Sequence, residues 1–329
     1  MTVNTIFGIV YILLSAIFIV INALLLMIIW KPKEYKSSTY LIIKHLCVSC
    51  IMQLIPFLVG GFMTLMDSSF EYYLDRILGA FVESSWFLYI SLAFSLAVDR
   101  LLLFMISIPS RICARINRSL LIFSWLFWLS AFILLFIPCF GYTYEGAAGH
   151  FVWISLDCKL AHTFIGVEKY LDFAFFIVDL VIYIMVFAYI IKLRKMSSQQ
   201  AASMGEIKIF IVALISFVYE SFFIIWSFWI PGFLANQRDM DIVTNLMWIV
   251  DSGLFASVTF MINGSLRERL KDFIWRKKTT RNHSDMTTIT KEAIEAIAIK
   301  KPSKEATRSN YYMVEETNVK HCITMAIIV

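Results

Sequence analysis

Apolar residues run in long blocks along this chain, and charge gathers in the short segments between them. Seven blocks are long enough to cross, as α-helices of about 20 residues, a hydrocarbon core about 30 Å thick. They cover residues 6–30, 40–66, 77–104, 119–139, 170–191, 209–230 and 242–262. The pattern predicts an all-α membrane protein, a seven-transmembrane helix bundle occupying residues 6–263. After the seventh block, Ser265-Leu-Arg-Glu268 reads as a capping box. Leu266, Leu270, Phe273 and Ile274 then share one helical face, with Arg267, Arg269, Lys271, Arg276, Lys277 and Lys278 around them. Residues 264–278 are expected to form a cytosolic amphipathic eighth helix on the inner leaflet. Residues 1–5 form a short extracellular N-terminus in this scheme. The polar, threonine- and lysine-rich tail 279–329 has the composition of a disordered segment.

Composition agrees with that reading. Of 329 residues, 60% are hydrophobic and 16% charged, against about 25% charged in soluble domains. Mean hydropathy is +0.75. Lysine and arginine in the short loops set the orientation. The loops after the first, third and fifth blocks and their flanks hold twelve, among them Lys31, Lys44, Arg111, Arg118, Lys192 and Lys208; the opposite loops hold Arg76, Lys159, Lys169 and Arg238. The N-terminus is therefore expected outside and the C-terminus in the cytosol. The first apolar run is long enough to serve as an uncleaved signal anchor. The sequons at Asn117, Asn263 and Asn282 fall on the expected cytosolic side and should stay unused. Six scattered cysteines do not make a disulfide framework, and Cys47-Val-Ser-Cys50 reads as small apolar residues on a helix face.

The charges inside the blocks carry the candidate chemistry. A charged side chain at mid-bilayer costs about 2.5–3.5 kcal/mol on insertion scales. Asp99 and Arg100 avoid part of that cost by sitting at the expected cytosolic end of the third span. Glu83, Asp179, Glu220 and Asp251 lie deeper. Glu83 is 17 residues before Arg100, about 25 Å along a helix at about 1.5 Å per residue. No lysine or arginine lies at matching depth, so these acids are either protonated or face water between helices. They either line a ligand pocket or, as neutral carboxyls, hydrogen-bond a neighbouring helix. Trp86 and Phe87 follow Glu83 and form either an apolar pocket wall or plain packing.

Several positions resemble the rhodopsin-like G-protein-coupled receptors. Asp99-Arg100-Leu101 keeps the acid–arginine pair that ends the third helix there and lacks the usual tyrosine. Asn22 matches the first-helix asparagine, Trp128 and Pro138 the fourth-helix pattern, and Ala256-Ser-Val-Thr-Phe260 a degraded seventh-helix motif. Cys50 stands where that family has its sodium-site aspartate. Position 75 is aspartate, so the usual disulfide from the third helix to the second outer loop cannot form. The stretches "LGAFVESSWFLYISLAFSLAVDRLLLF", "GEIKIFIVALISF" and "INGSLRERL" are similar to the nematode serpentine chemoreceptors, class T above all.

That resemblance implies a chemosensory receptor in the plasma membrane of a sensory neuron, in its cilium, with a small-molecule ligand and a heterotrimeric G protein as partners. It makes Asp99, Arg100 and Glu206 the coupling switch. It makes Glu83, Trp86, Phe87, Asp251, Asp179 and Glu220 the pocket candidates. Cys139 and Cys158 are a candidate disulfide. Thr279, Thr280, Ser284, Thr287 and Thr288 are candidate phosphosites for an arrestin. Residues 245–262 contain no lysine, so an opsin-type retinal Schiff base is ruled out. No cofactor, metal or nucleic-acid partner is expected. HExxH, GxSxG and paired-aspartate patterns are missing, so an enzyme is not expected either. The rival is a multi-span transporter or ligand-gated channel, which the intramembrane acids would suit and the lack of internal repeats does not.

Overall fold

The computed structural model describes residues 3–30, 37–68, 70–106, 109–137, 140–145, 152–155, 158–196, 204–229 and 237–272, all within the compact unit Met1–Ile274. Seven helices dominate: α1 (Val3–Trp30), α2 (Ser38–Met66), α3 (Tyr72–Phe104), α4 (Ser110–Leu135), α5 (Lys159–Met196), α6 (Met204–Trp229) and α7 (Gln237–Ile262). Each is long and apolar enough to cross a membrane. They pack as a bundle around α3, the most enclosed of the seven. Large apolar side chains such as Leu13, Ile122, Phe123 and Ile184 point outward, as a lipid environment demands. Small polar ones such as Ser84, Ser85, Ser91 and Ser95 turn inward along α3.

Close helix approach sets the packing. A Cβ on Gly253 of α7 would stand 2.1 Å from the Phe18 ring of α1. One on Gly61 of α2 would stand 2.6 Å from Ile12 of α1. Small residues let membrane helices approach where van der Waals contact, not water exclusion, drives association. Asn22, buried in α1, donates to the Phe18 carbonyl at 2.9 Å and to the Ser252 carbonyl of α7 at 3.0 Å. It therefore ties α1 to α7.

Several helices start earlier than their apolar blocks. α5 begins at Lys159, not near 170, and α4 at Ser110, not near 119. Hydropathy marks only the most apolar stretch. The helix itself continues through polar positions, such as Glu168 and Asn117, whose side chains are buried inside the bundle. A hairpin that the hydrophobic pattern did not predict joins α4 to α5. Its strands, β1 (Tyr142–Glu145) and β2 (Val152–Ser155), pair antiparallel with Tyr142 opposite Ser155 and Glu145 opposite Val152. β1 lies along α3 and β2 toward α7.

After α7, residues 264–272 are helical. Leu266 is 1% exposed and Leu270 packs on the core. Part of the expected lipid-facing stripe is thus covered by the bundle itself. Residues 273–278 and the tail lie outside the described residues.

Candidate functional site

At one end of the bundle, the last turns of α3 carry Asp99 and Arg100, 2% and 0% exposed. Consecutive helix positions point in different directions, yet both side chains enter the same interior network. Arg100 Nη2 donates to Asp99 Oδ2, and Nη1 donates to Glu206 Oε2 on α6. Nη2 also donates to Thr39 Oγ1 of α2 at 2.5 Å, and that hydroxyl donates onward to Asp99 Oδ2 at 2.7 Å. Asn117 Nδ2 of α4 donates to Asp99 Oδ1 and to Ser38 Oγ at 3.0 Å. One guanidinium therefore ties α3 to α2 and α6, while the aspartate beside it draws in α4. Glu206 sits in the first turn of α6, where the helix dipole also favours a negative charge. The sequence named Asp99, Arg100 and Glu206, and the fold brings them together. It gave no sign of Thr39, and it offered Asn117 only as a sequon. The Asn117 amide nitrogen is occupied in the network.

At the opposite end, the start of α3 holds the hairpin. Asp75 accepts from Thr143 Oγ1 and from the Tyr144 backbone N–H at 2.8 Å. Arg76 Nη2 donates to the carbonyls of Leu135 at 2.8 Å and Phe140 at 2.6 Å. Tyr144, buried, meets Thr64 Oγ1 of α2 at 2.7 Å. Beneath the hairpin lie three buried carboxyls, Glu83 of α3 with Glu168 and Asp172 of α5, close enough to act on one another electrostatically. Trp86 Nε1 donates to Asp172 Oδ2 at 3.0 Å, and Glu83 lies against the Glu168 carboxyl and the Tyr142 hydroxyl. The basic residues nearby bind backbone carbonyls, with Arg76 Nη1 left without a partner among the described residues. Arg76 holds carbonyls, and Lys169 reaches the Phe228 carbonyl at 3.4 Å and lies 4.0 Å from the Trp229 ring centroid. Burial, and then the charges of Glu168, Glu83 and Asp172, push the Tyr142 hydroxyl well above the usual phenol range, so β1 presents these acids with a neutral phenol.

An aromatic layer separates this group from a second one. Trp86 stacks on Tyr89 at 5.8 Å and meets Phe223 of α6 and Trp248 of α7 edge-on at 5.3 and 5.9 Å. Trp248 Nε1 donates to Gln53 Oε1 of α2 at 2.6 Å. Below it lies a small cavity with room for about one water molecule, lined by Tyr89, Asp179, Tyr183, Ser216 and Glu220. Asp251 of α7 is fully enclosed nearby, with no partner for either oxygen among the described residues, and acts electrostatically on Cys50 of α2. Sequence-predicted Glu83 and Trp86 thus belong to the upper group, and Asp179, Glu220 and Asp251 to the lower one. Phe87 turns the other way, against Phe127 of α4 and Phe164 of α5 at 5.4 and 6.0 Å. Glu168 and Asp172 were missed. Glu168 precedes the apolar block and Asp172 opens it, so both read as edge charges.

The model of the serpentine type 7TM GPCR chemoreceptor Srt family matches residues 1–283. The chain belongs to that family. None of the curated proteins matches it. Membership in the Srt family agrees with seven apolar helices and makes the chain a multi-pass membrane protein of a chemoreceptor family. The family name carries no residue roles, so those of the Srt chain rest on the geometry above. Cys139 and the tail positions Thr279, Thr280, Ser284, Thr287 and Thr288 lie outside the described residues.

Proposed function

We propose that the chain is a plasma-membrane chemosensory receptor, N-terminus outside and C-terminus cytosolic, that converts small-molecule binding into activation of a heterotrimeric G protein. One observation carries this reading. Arg100, a permanently charged side chain, is wholly enclosed and held by Asp99 on its own helix and by Glu206 on α6. Arg100 is enclosed while the Glu206 side chain is 32% exposed, so releasing this contact costs less than the ~3–5 kcal/mol of a fully buried pair. In this reading the contact has two states, bound and released. A ligand shifts their balance by binding one of them better. In the resting state Glu206 keeps α6 against α3. Outward movement of α6 frees Arg100 to line a cytosolic cavity for the G protein.

The ligand end of the scheme is the acid group at the hairpin end. Carboxyls without a cationic partner favour a ligand that brings positive charge or hydrogen-bond donors. Trp86 touches both Asp172 and the Phe223 ring of α6, which gives ligand contact at the acids a physical route to the helix that holds Glu206. Asp179, Glu220 and Asp251 take the next position inward. Three further parts of the proposal rest on sequence alone: the Cys139–Cys158 disulfide, phosphorylation of Thr279, Thr280, Ser284, Thr287 and Thr288 for an arrestin, and a sensory-cilium location.

The test is expression with a promiscuous G protein against an odorant panel, with Arg100→Ala as the control. Ligand-dependent GTP exchange that disappears in Arg100→Ala at normal surface expression is expected. A full response in that variant, or a ligand-gated current that needs no G protein, would overturn the reading.

A further inference from the structure

We propose that the cleft between α4 and α5 is a lateral binding site, entered from within the bilayer, for a small amphiphile with an apolar body and an amine head. The proposal rests on the receptor reading and specifies its ligand and entry route. α4 and α5 each pack on α3 and scarcely on each other. Between them lies a cavity of about 420 Å³, within the ~300–1,000 Å³ span of small-molecule sites. Its walls are apolar, with Phe87 on α3, Phe127 and Leu134 on α4, and Phe164 on α5. Ser130, Thr163 and Val167 form an exposed rim, so the mouth opens sideways, where lipid surrounds the bundle.

The polar atoms of the lining decide what fits. Ser130 and Thr163 donate to carbonyls of their own helices, Leu126 at 2.9 Å and Lys159 at 3.1 Å. Glu168 differs. It is 5% exposed, it lines the cavity, and its Oε2 has no N–H or hydroxyl donor among the described residues. Behind it stand Glu83, set against Glu168 and Tyr142, and Asp172, whose Oδ1 has no partner among the described residues. Lys169 and Arg76 Nη2 hold backbone carbonyls, and Arg76 Nη1 lies beside Gly141 of the outer loop. An amine supplies the missing donors, and its hydrocarbon body replaces lipid along the aromatic wall. At the hairpin end, β1 is tied down over the acids. Asp75 fastens β1 to α3, and Tyr144 is buried against Thr64. An apolar amine concentrates in the bilayer and reaches the cleft from the side.

The test uses the full-length receptor in phosphatidylcholine vesicles and a diazirine-bearing decylamine as the probe. After irradiation, labelled peptides are located by mass spectrometry, with decylamine, decane and decanoic acid as competitors. Label is expected on the α4 and α5 segments that line the cleft, displaced by decylamine and not by the other two. Glu168→Gln is expected to lower the displaceable label about tenfold, the scale of one hydrogen bond to a charged group. Thr163→Trp, at the exposed rim, should block it by filling the mouth, with thermal unfolding confirming an intact fold. Label spread evenly over the outward-facing helices, displacement by decane as strong as by decylamine, or label unchanged in Thr163→Trp would overturn the proposal. The assay needs no G protein. Label in the cleft without amine-driven GTP exchange would support this site while removing the coupling scheme, and the reverse result would remove this site alone.

Discussion

Asp75, in the first turn of α3, accepts a hydrogen bond from the backbone N–H of Tyr144 in β1 at 2.8 Å. The neighbouring Thr143 hydroxyl donates to the same carboxyl. In the receptors this chain resembles, a disulfide joins the start of the third helix to the same loop. Here a carboxyl holds it without a covalent bond. Asp75→Ala removes the acceptor from a buried amide, which costs about 1–3 kcal/mol. The expected result is a lower melting temperature in detergent and faster hydrogen exchange at the Tyr144 amide. Asp75→Asn keeps an acceptor oxygen and should fall between the two.

Thr39 and Asn117 hold Asp99 from α2 and α4. Losing either leaves part of a buried carboxyl unserved and loosens the setting of Arg100. Thr39→Ala and Asn117→Ala should each lower stability by about 1–3 kcal/mol and raise ligand-independent GTP exchange. Serine at position 39 should restore wild-type values, because the hydroxyl does the work. Basal exchange and melting temperature measured on the same preparations check both effects.

How far the sequence reached follows from what each feature leaves in it. Seven helices are legible because a lipid-embedded helix must be apolar over about 20 residues. Arg100 and Asp99 are legible because charge beside such a run is rare and must have a reason. Thr39 leaves no trace, since a threonine at a helix start is ordinary on its own. Glu168 and Asp172 stand at the edge of an apolar block, and hydropathy gives depth there and not which way a side chain points. The Tyr142–Glu145 strand is too short to show an alternating pattern, and its position is fixed by Asp75, a contact distant in sequence.

Gly253 packs against Phe18 where α1 meets α7. Gly253→Val would force the helices apart, because the added Cβ alone would stand 2.1 Å from the ring. Overpacking of this kind costs about 1–3 kcal/mol or more. Poor surface expression is expected, with partial recovery in Gly253→Val combined with Phe18→Ala. Surface immunolabelling of the single and double variants checks it.

Trp86 serves both as the donor to Asp172 and as the centre of the aromatic layer. Trp86→Phe keeps a ring and removes the donor. If the layer links ligand contact to α6, the agonist dose response should move to higher concentration by about tenfold, equivalent to about 1.4 kcal/mol. Glu83→Gln should also move it, by changing the charge that the ligand meets. A dose response that stays in place for both variants would remove the upper acid group from the pocket.

The restraint of Arg100 by Glu206 can be tested without knowing the ligand. Glu206→Ala is co-expressed with a promiscuous G protein, and basal GTP exchange is measured on membranes at matched surface expression. Exchange should rise several-fold above that of the unaltered chain and return to background when Arg100→Ala is added. Basal exchange that Glu206→Ala leaves unchanged, or that persists without Arg100, would contradict the account.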